Sequence, residues 1–283
     1  MDRGLFLPSP RSIPRCGMDT VIAEILVTVN NGRGSRGRVS TAQDTHLDEY
    51  SKLHREGSLE DRTSNYQALI NAYYDLATVF YEWDWGSSFH FSSQFSHESF
   101  DESIRRHQYQ LAGHVGVFGK QFQVLDLGCG IGGPMHNLAN FLQYKITGIP
   151  LNQYQVDRGN ELRAQREGQV CRLPQCAGKL HGAPFRGCSL RWSVCDRSHL
   201  LAPDRVKCYG EVFRVLKPMS FFSVYEWCMT DKNDPYNKEH QRLKKDIEEG
   251  NGLPDSIDTN ACLKAMREAG FEILSMCSHG RLH

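Results

Sequence analysis

From Tyr66 onward, apolar residues recur at three- and four-residue spacing: Leu69, Ile70, Tyr73, Leu76, Ala77, Phe80 and Tyr81. That period lines one face of a helix. A second helix is predicted from "SFDESIRRHQYQLAGHVGV". Ser99 and Glu102 open it at capping-box spacing, and Ile104, Gln108, Leu111 and Val115 follow one face. Gly116 and Gly119 punctuate its end. The pattern then changes. Val124 to Leu127 is a short buried-strand run, Met135 to Phe141 starts a helix, "KITGI" is a second strand, and "NQYQVDRGNELRAQRE" is a second, polar helix. This β-loop-α-β-α order opens a doubly wound parallel sheet. Further on, Asp204 to Leu216 reads as a helix ended by Pro218, and "SFFSVYEWC" as a buried strand. "NKEHQRLKKDIEEGNGLPD" is a charged helix stopped by Gly250 and Gly252, and "TNACLKAMREAGFEIL" is one more helix-to-strand unit. The expected fold is α/β, a Rossmann-like core behind an N-terminal helical cap.

Composition narrows the function classes. The chain has 283 residues, 23% charged and 40% hydrophobic, with no net charge. A balanced charge gives no basic footprint for nucleic acid. No segment approaches the roughly 20 apolar residues of a membrane span. The ten cysteines form no CxxC pair, and a reducing setting follows. The first 40 residues are rich in Arg, Ser, Gly and Pro, and are read as a leader outside the fold, disordered or wrongly predicted, in preference to a transit peptide. The expected divisions are a leader over 1–45, a helical cap over 46–118 and a core over 119–283.

The candidate chemistry starts at "LDLGCGIGG". Glycines let a backbone turn sharply and approach a ligand closely, at the carboxyl end of a strand and the start of a helix. The spacing is Gly128-x-Gly130-x-Gly132-Gly133, with Asp126 two residues ahead. It resembles the first motif of the class I S-adenosylmethionine methyltransferases. That resemblance implies that Gly128, Cys129, Gly130 and Gly132 cradle the amino-acid part of S-adenosyl-L-methionine and that Asp126 serves its ammonium. Many such enzymes place an acid for the ribose after the second strand. Here "GIPLNQYQV" offers Asn152 or Gln153 instead, and Asn152 reads equally well as a helix cap.

Ahead of the core stands "YYDLATVFYEWDWGSSFHF", in which eight of nineteen residues are Phe, Tyr or Trp. Together with "VLDLGCGIGGP", "APDRVKCYGEVFRVLKP", "VYEWCMTD" and "GNGLPD", it resembles the sterol 24-C-methyltransferases over roughly residues 66–274. The resemblance implies methyl transfer to C24 of a sterol side-chain double bond, with a sterol as partner. It also implies peripheral contact with the endoplasmic reticulum membrane, or a cytoplasmic location, with self-association left open. Tyr81, Trp83, Trp85, Phe89 and Tyr225 then become sterol-facing residues, since aromatic faces stabilise a carbocation without attacking it. Glu82, His90 and Glu226 become candidates for the final proton removal, unranked among themselves. Each has a plain structural alternative: pairing for Glu82, a buried hydrogen-bonded imidazole for His90, and strand-end orientation for Glu226. The family's usual Tyr-Glu-x-Gly-Trp-Gly is altered at Asp84. "GIPLNQYQ" loosely resembles tocopherol-type methyltransferases, which leaves another lipid-like acceptor as an alternative. A non-catalytic binding protein is the third reading.

One stretch departs from the family. "GKLHGAPFRGCSLRWSVCDRSHLL" carries four basic residues against Asp196 and stands where the family has an acidic segment ending near Tyr-Ala-Ile-Glu-Ala-Thr-Cys-His. Codons compatible with residues 178–200, read one base later, permit that signature. Residues 172–201 are therefore read as a reading-frame slip, restored at Ala202, which would remove a sheet strand. A zinc site from Cys171, Cys176, His181, Cys188, Cys195 or His199 matches no usual ligand spacing, and no metal is expected. The ending "SMCSHGRLH" comes before further family elements, so a truncated C-terminal part is also expected.

Overall fold

The computed structural model describes residues 57–90, 92–113, 123–165, 171–172, 190–196, 204–253 and 255–276, together with Tyr50, Lys52 and His54. Helices α1 (Leu59–Ser64), α2 (Tyr66–Trp85) and α3 (Phe100–Gly113) precede the sheet. Then follow β1 (Gln123–Leu127), α4 (Gly133–Leu142), β2 (Lys145–Ile149), α5 (Gln153–Ala164), β3 (Cys171–Arg172) and β4 (Leu190–Asp196). The order ends with α6 (Arg205–Val215), β5 (Leu216–Tyr225), α7 (Lys238–Asn251) and α8 (Thr259–Glu268). Among the described residues five strands lie in the order β3-β2-β1-β4-β5. All pairings are parallel; Leu125 of β1 stands opposite Thr147 of β2 and Ser193 of β4. This is a doubly wound sheet, with the chain reversing direction at β1.

Local chemistry explains the element boundaries. Ser99 caps α3 through the predicted box: its N–H donates to Glu102 Oε2 (2.7 Å), and its Oγ accepts from the Glu102 N–H (3.3 Å). Asp204 caps α6 through the Lys207 N–H, and Asp258 caps α8 through the Ala261 N–H. Gly252 ends α7 in the left-handed region, whereas Gly250 lies inside the helix rather than stopping it.

The sheet is covered on both faces. Val124, Ile146, Met135, Leu138, Leu111 and Ala112 form one core layer with α3 and α4. Leu125, Leu127, Ile149, Leu190, Val212 and Val215 form the other with α6. The cap does not stand apart. Ile70 of α2 packs with Leu253, Ile247 and Trp227. Tyr50 donates to the Glu249 carbonyl, and Tyr73 to the Gly250 carbonyl (3.3 Å).

The structure corrects several further expectations; Pro218, for one, lies inside β5 rather than ending α6, which stops at Val215. Another concerns the strand thought lost with the anomalous stretch. Leu190–Asp196 forms β4 at the centre of the sheet, between β1 and β5. Leu190, Trp192 and Val194 alternate with Arg191, Ser193 and Cys195, so a strand period survives over a window shorter than the whole stretch. The remaining residues of 173–189 and 197–203 lie outside the described residues, as does the leader. A third correction is at the end. Phe271 to Leu274 joins no ladder among the described residues. Phe271 instead packs edge-on against Phe213 (5.2 Å between ring centroids) and beside Phe222 (5.3 Å). β5 is half-covered rather than buried. It carries a bulge at Met219, which has φ 59° and is 96% exposed.

Burial makes the cap acid-sensitive. His54 is buried beside the Tyr50 ring (4.7 Å between centroids). Burial, and then the nearby Arg62 charge, push its imidazole down from near 6.5 to about 4. A folded value below the unfolded one means that the unfolded chain binds the extra proton. The stability is therefore full above pH about 6.5 and is lost as pH falls toward about 4. Thermal unfolding of His54→Gln is expected to lose this slope over that window. An unchanged slope would place its origin elsewhere.

Candidate active site at the glycine loop

Three left-handed glycines build the loop after β1: Gly128 (φ 72°), Gly130 (φ 55°) and Gly132 (φ 92°). Side chains resist that region, so the residue type follows from the turn. Gly128 N–H donates to the Ile149 carbonyl (2.8 Å), tying the loop to the end of β2. Gly132 is the N-cap of α4, with Pro134 in its first turn, so the N-terminus of the helix, the positive end of its dipole, abuts the loop. Cys129 is buried, and its sulfur shares the space over Gly148 with Met135; a Cβ on Gly148 would lie 2.4 Å from Cys129 Sγ and 2.2 Å from Met135 Sδ. Asp126 is only 3% exposed, in the last turn of pleat before the loop. A buried carboxylate beside left-handed glycines and a helix N-terminus suits a zwitterionic amino-acid ligand: the acid serves an ammonium and the N–H groups a carboxylate. The loop therefore fits the amino-acid part of S-adenosylmethionine.

The aromatic segment lies directly against this loop. Gly133 N–H donates to the Ser87 carbonyl (3.1 Å), and a Cβ on Gly130 would lie 3.1 Å from the Phe89 ring. Tyr81 and Trp85 stack at 4.8 Å and 13°, one helical turn apart on α2, and Tyr81 meets Phe89 at 5.4 Å. Tyr73 and Tyr81 share a hydroxyl hydrogen bond of 2.6 Å. Trp83 is the exception, at 83% exposed. Two residues from Tyr81 on a helix lies the opposite face, so Trp83 does not join the other rings.

The three proton-acceptor candidates go to three different places. Glu82 takes the Arg158 guanidinium of α5 in a fork, with Nε 3.0 and 2.9 Å from its two oxygens. His90 is buried, its Nδ1 3.3 Å from Gln108 Nε2; Gln108 Oε1 in turn accepts from Asn137 Nδ2 (2.8 Å). Glu226 accepts from the Tyr209 hydroxyl (3.4 Å), beneath α6 and α8. Its neighbour Tyr225 points to the other face of β5, where its ring meets His107 edge-on at 4.6 Å. His107 also lies edge-on to His90 at 6.0 Å. Sequence reasoning missed His107 and Asn137, and placed Gln108 on the packed face without giving it a partner. Only the α3 periodicity, which buries 104, 107, 108 and 111 together, could have flagged His107.

After β2, Asn152 serves as a helix cap. It is buried; its Oδ1 accepts from the Gln155 N–H (3.0 Å), and its Nδ2 donates to Asp75 (2.9 Å). Gln153 is exposed and bonded to Asp157 (2.8 Å). Among the described residues no group of three or more His, Cys, Asp or Glu is placed to hold a metal ion, and no helix is long and apolar enough to cross a membrane.

Strand order, glycine turn and buried acid define a class I S-adenosylmethionine-dependent methyltransferase. Residues 124–219 match the family model of a methyltransferase domain. Solved structures share the fold: a cyclopropane synthase from Mycobacterium tuberculosis has TM-score 0.62 at 15% identity, covering 74% of this chain and 76% of that one. A geranyl diphosphate C-methyltransferase from Streptomyces coelicolor, in complex with S-adenosyl-L-homocysteine, has TM-score 0.57 at 19% identity, covering 72% and 78%. The chain is 43% identical over 233 residues to the cycloartenol-C-24-methyltransferase of Arabidopsis thaliana, covering 81% of this chain and 68% of that protein. It is 38% identical over 247 residues to the sterol 24-C-methyltransferase of Aspergillus fumigatus, covering 84% and 65%. The chain belongs to the sterol 24-C-methyltransferase family and spans about two thirds of the length of these relatives.

Proposed function

We propose that this chain transfers a methyl group to C24 of a sterol side-chain double bond. The observation that carries the reading is the Phe89 ring seated on Gly130, with the Tyr81–Trp85 stack behind it: an aromatic wall abuts the cofactor loop. S-adenosylmethionine supplies the electrophilic methyl. An alkene is a poor nucleophile, so the wall must hold C24 in line with that methyl. As the new C–C bond forms and the S–CH3 bond breaks, positive charge is left on the sterol side chain. Ring faces stabilise that charge and exclude the water that would quench it. Loss of a proton to a buried base then restores an alkene. His90, next to Phe89 in the chain, is the candidate on the wall itself.

A sterol reaches its enzyme from a membrane. The proposal therefore includes peripheral contact with the endoplasmic reticulum, and the exposed Val79, Phe80 and Trp83 face of α2 supports it. The test is incubation with methyl-labelled S-adenosylmethionine and cycloartenol in mixed micelles. Label in a 24-methyl sterol is expected, and Phe89→Leu should lower kcat/KM about tenfold, the weight of one cation–π contact. A chain carrying the shifted-frame reading of residues 178–200 belongs in the same assay. Cofactor binding without transfer by either chain, or label in a tocopherol-type phenol instead, would sink the proposal.

A further inference from the structure

Helices α2 and α5 are joined by three polar rungs in register. Asn152 Nδ2 donates to Asp75 Oδ1 (2.9 Å), Gln155 Nε2 to Thr78 Oγ1 (3.3 Å), and Arg158 to both oxygens of Glu82. Positions 75, 78 and 82 form one stripe of α2, and 155 and 158, with the N-cap Asn152, one stripe of α5. The stripe borders the aromatic one, because Glu82 follows Tyr81 and stands one turn before Trp85. The N-cap of α5, Asn152, in turn stands three residues after Ile149, whose carbonyl holds Gly128. The rungs thus run from the rim of the cofactor loop to the base of the aromatic wall. The last rung is the charged, two-pronged one, and Glu161 pre-orients its guanidinium (2.9 Å).

From this geometry we infer that Arg158 is a positioning residue for methyl transfer: through Glu82 it fixes the rotation of α2 and so aims the Tyr81–Trp85 stack at the glycine loop. Arg158 belongs to α5 and is not part of the loop or the wall, so its effect passes through Glu82. The inference rests on the sterol reading for its kinetic consequence, and on geometry alone for the ring placement.

The test compares Arg158→Ala, Arg158→Lys, Glu82→Gln and the charge-swapped pair Glu82→Arg with Arg158→Glu, in the full chain. Three quantities are read: kcat and KM for cycloartenol, Kd for S-adenosylhomocysteine, and the near-ultraviolet circular dichroism band that Trp85→Phe removes. Arg158→Ala should lower kcat/KM about 30-fold and lose that band, with cofactor Kd within threefold of the starting chain. Arg158→Lys should retain an intermediate value, since an ammonium keeps the charge without the fork. The swapped pair should recover the band and most of the lost rate. A general loss of structure would instead weaken cofactor binding in step and would not be rescued by the swap. Arg158→Ala within twofold of the starting chain in both rate and band overturns the inference. So does a swap that restores the band without turnover, which would give Glu82 a direct chemical role. If the starting chain itself methylates no sterol, the sterol reading fails, and the band alone decides the inference.

Discussion

Gly133→Ala is expected to be the most damaging glycine-to-alanine change among the described residues. A Cβ there would lie 2.0 Å from the Ser87 carbonyl oxygen and 2.4 Å from its carbon. Both are backbone atoms, so no side chain can swing away. The segment carrying Ser87 to Phe89 must withdraw by about an ångström, and the Gly133 N–H bond to Ser87 goes with it. Overpacking of this kind costs on the order of 3 kcal/mol. For a domain of this size that is a fall in Tm of about 6–12 °C. The functional loss should be larger still, because the retreat carries Phe89 off Gly130; about 10²-fold in methyl transfer is the scale of a 1 Å misplacement. Scanning calorimetry and the labelled-methyl assay read the two effects separately. A variant with unchanged Tm and rate would show that the aromatic segment is not seated on the loop.

The second large effect is on the cofactor. Asp126→Asn keeps the shape and removes the charge at a site that is nearly sealed. A buried charged partner contributes roughly 2–5 kcal/mol to binding, so Kd for S-adenosylmethionine should rise on the order of 10²- to 10³-fold. The sign on stability is the opposite of the glycine variant. A buried carboxylate is costly to keep ionised, so the cofactor-free asparagine form should be as stable as the parent or more so. Calorimetric titration beside thermal unfolding separates the two. Equal loss of both would make Asp126 a part of the fold rather than of the ligand site.

The sequence made some of this legible for definite reasons. A left-handed turn leaves few choices of residue, so Gly128, Gly130 and Gly132 announce their own geometry. A capping box is local, and Ser99 with Glu102 forms as the spacing foretold. Tyr225 and Glu226 split to opposite faces because a strand has period two; that rule alone separates the two candidates. The same reasoning at period 3.6 sets Trp83 apart from Tyr81 and Trp85, although the density of aromatic residues hid it. Asn152 was beyond local reasoning. Cap and ligand want the same side chain, and the deciding partner, Asp75, is 77 positions away. Glu82 is the same case, since Arg158 lies 76 positions on. Long-range polar partners leave no periodic trace in a sequence.

β4 has a further consequence. A parallel ladder is written in peptide groups, and those are the same in every residue. The central slot of the sheet therefore asks first that a segment can extend; Leu190 adds its side chain to the core layer beside Val212 and Val215. β1 and β5 do not pair with each other; each pairs with β4. Leu190–Asp196 is in effect the hinge pin between the cofactor-binding half and the half that carries α6 and β5. Its amides should exchange with solvent only when the two halves part. The stretch least like its family would then report most directly on whether the molecule unfolds as one unit or as two.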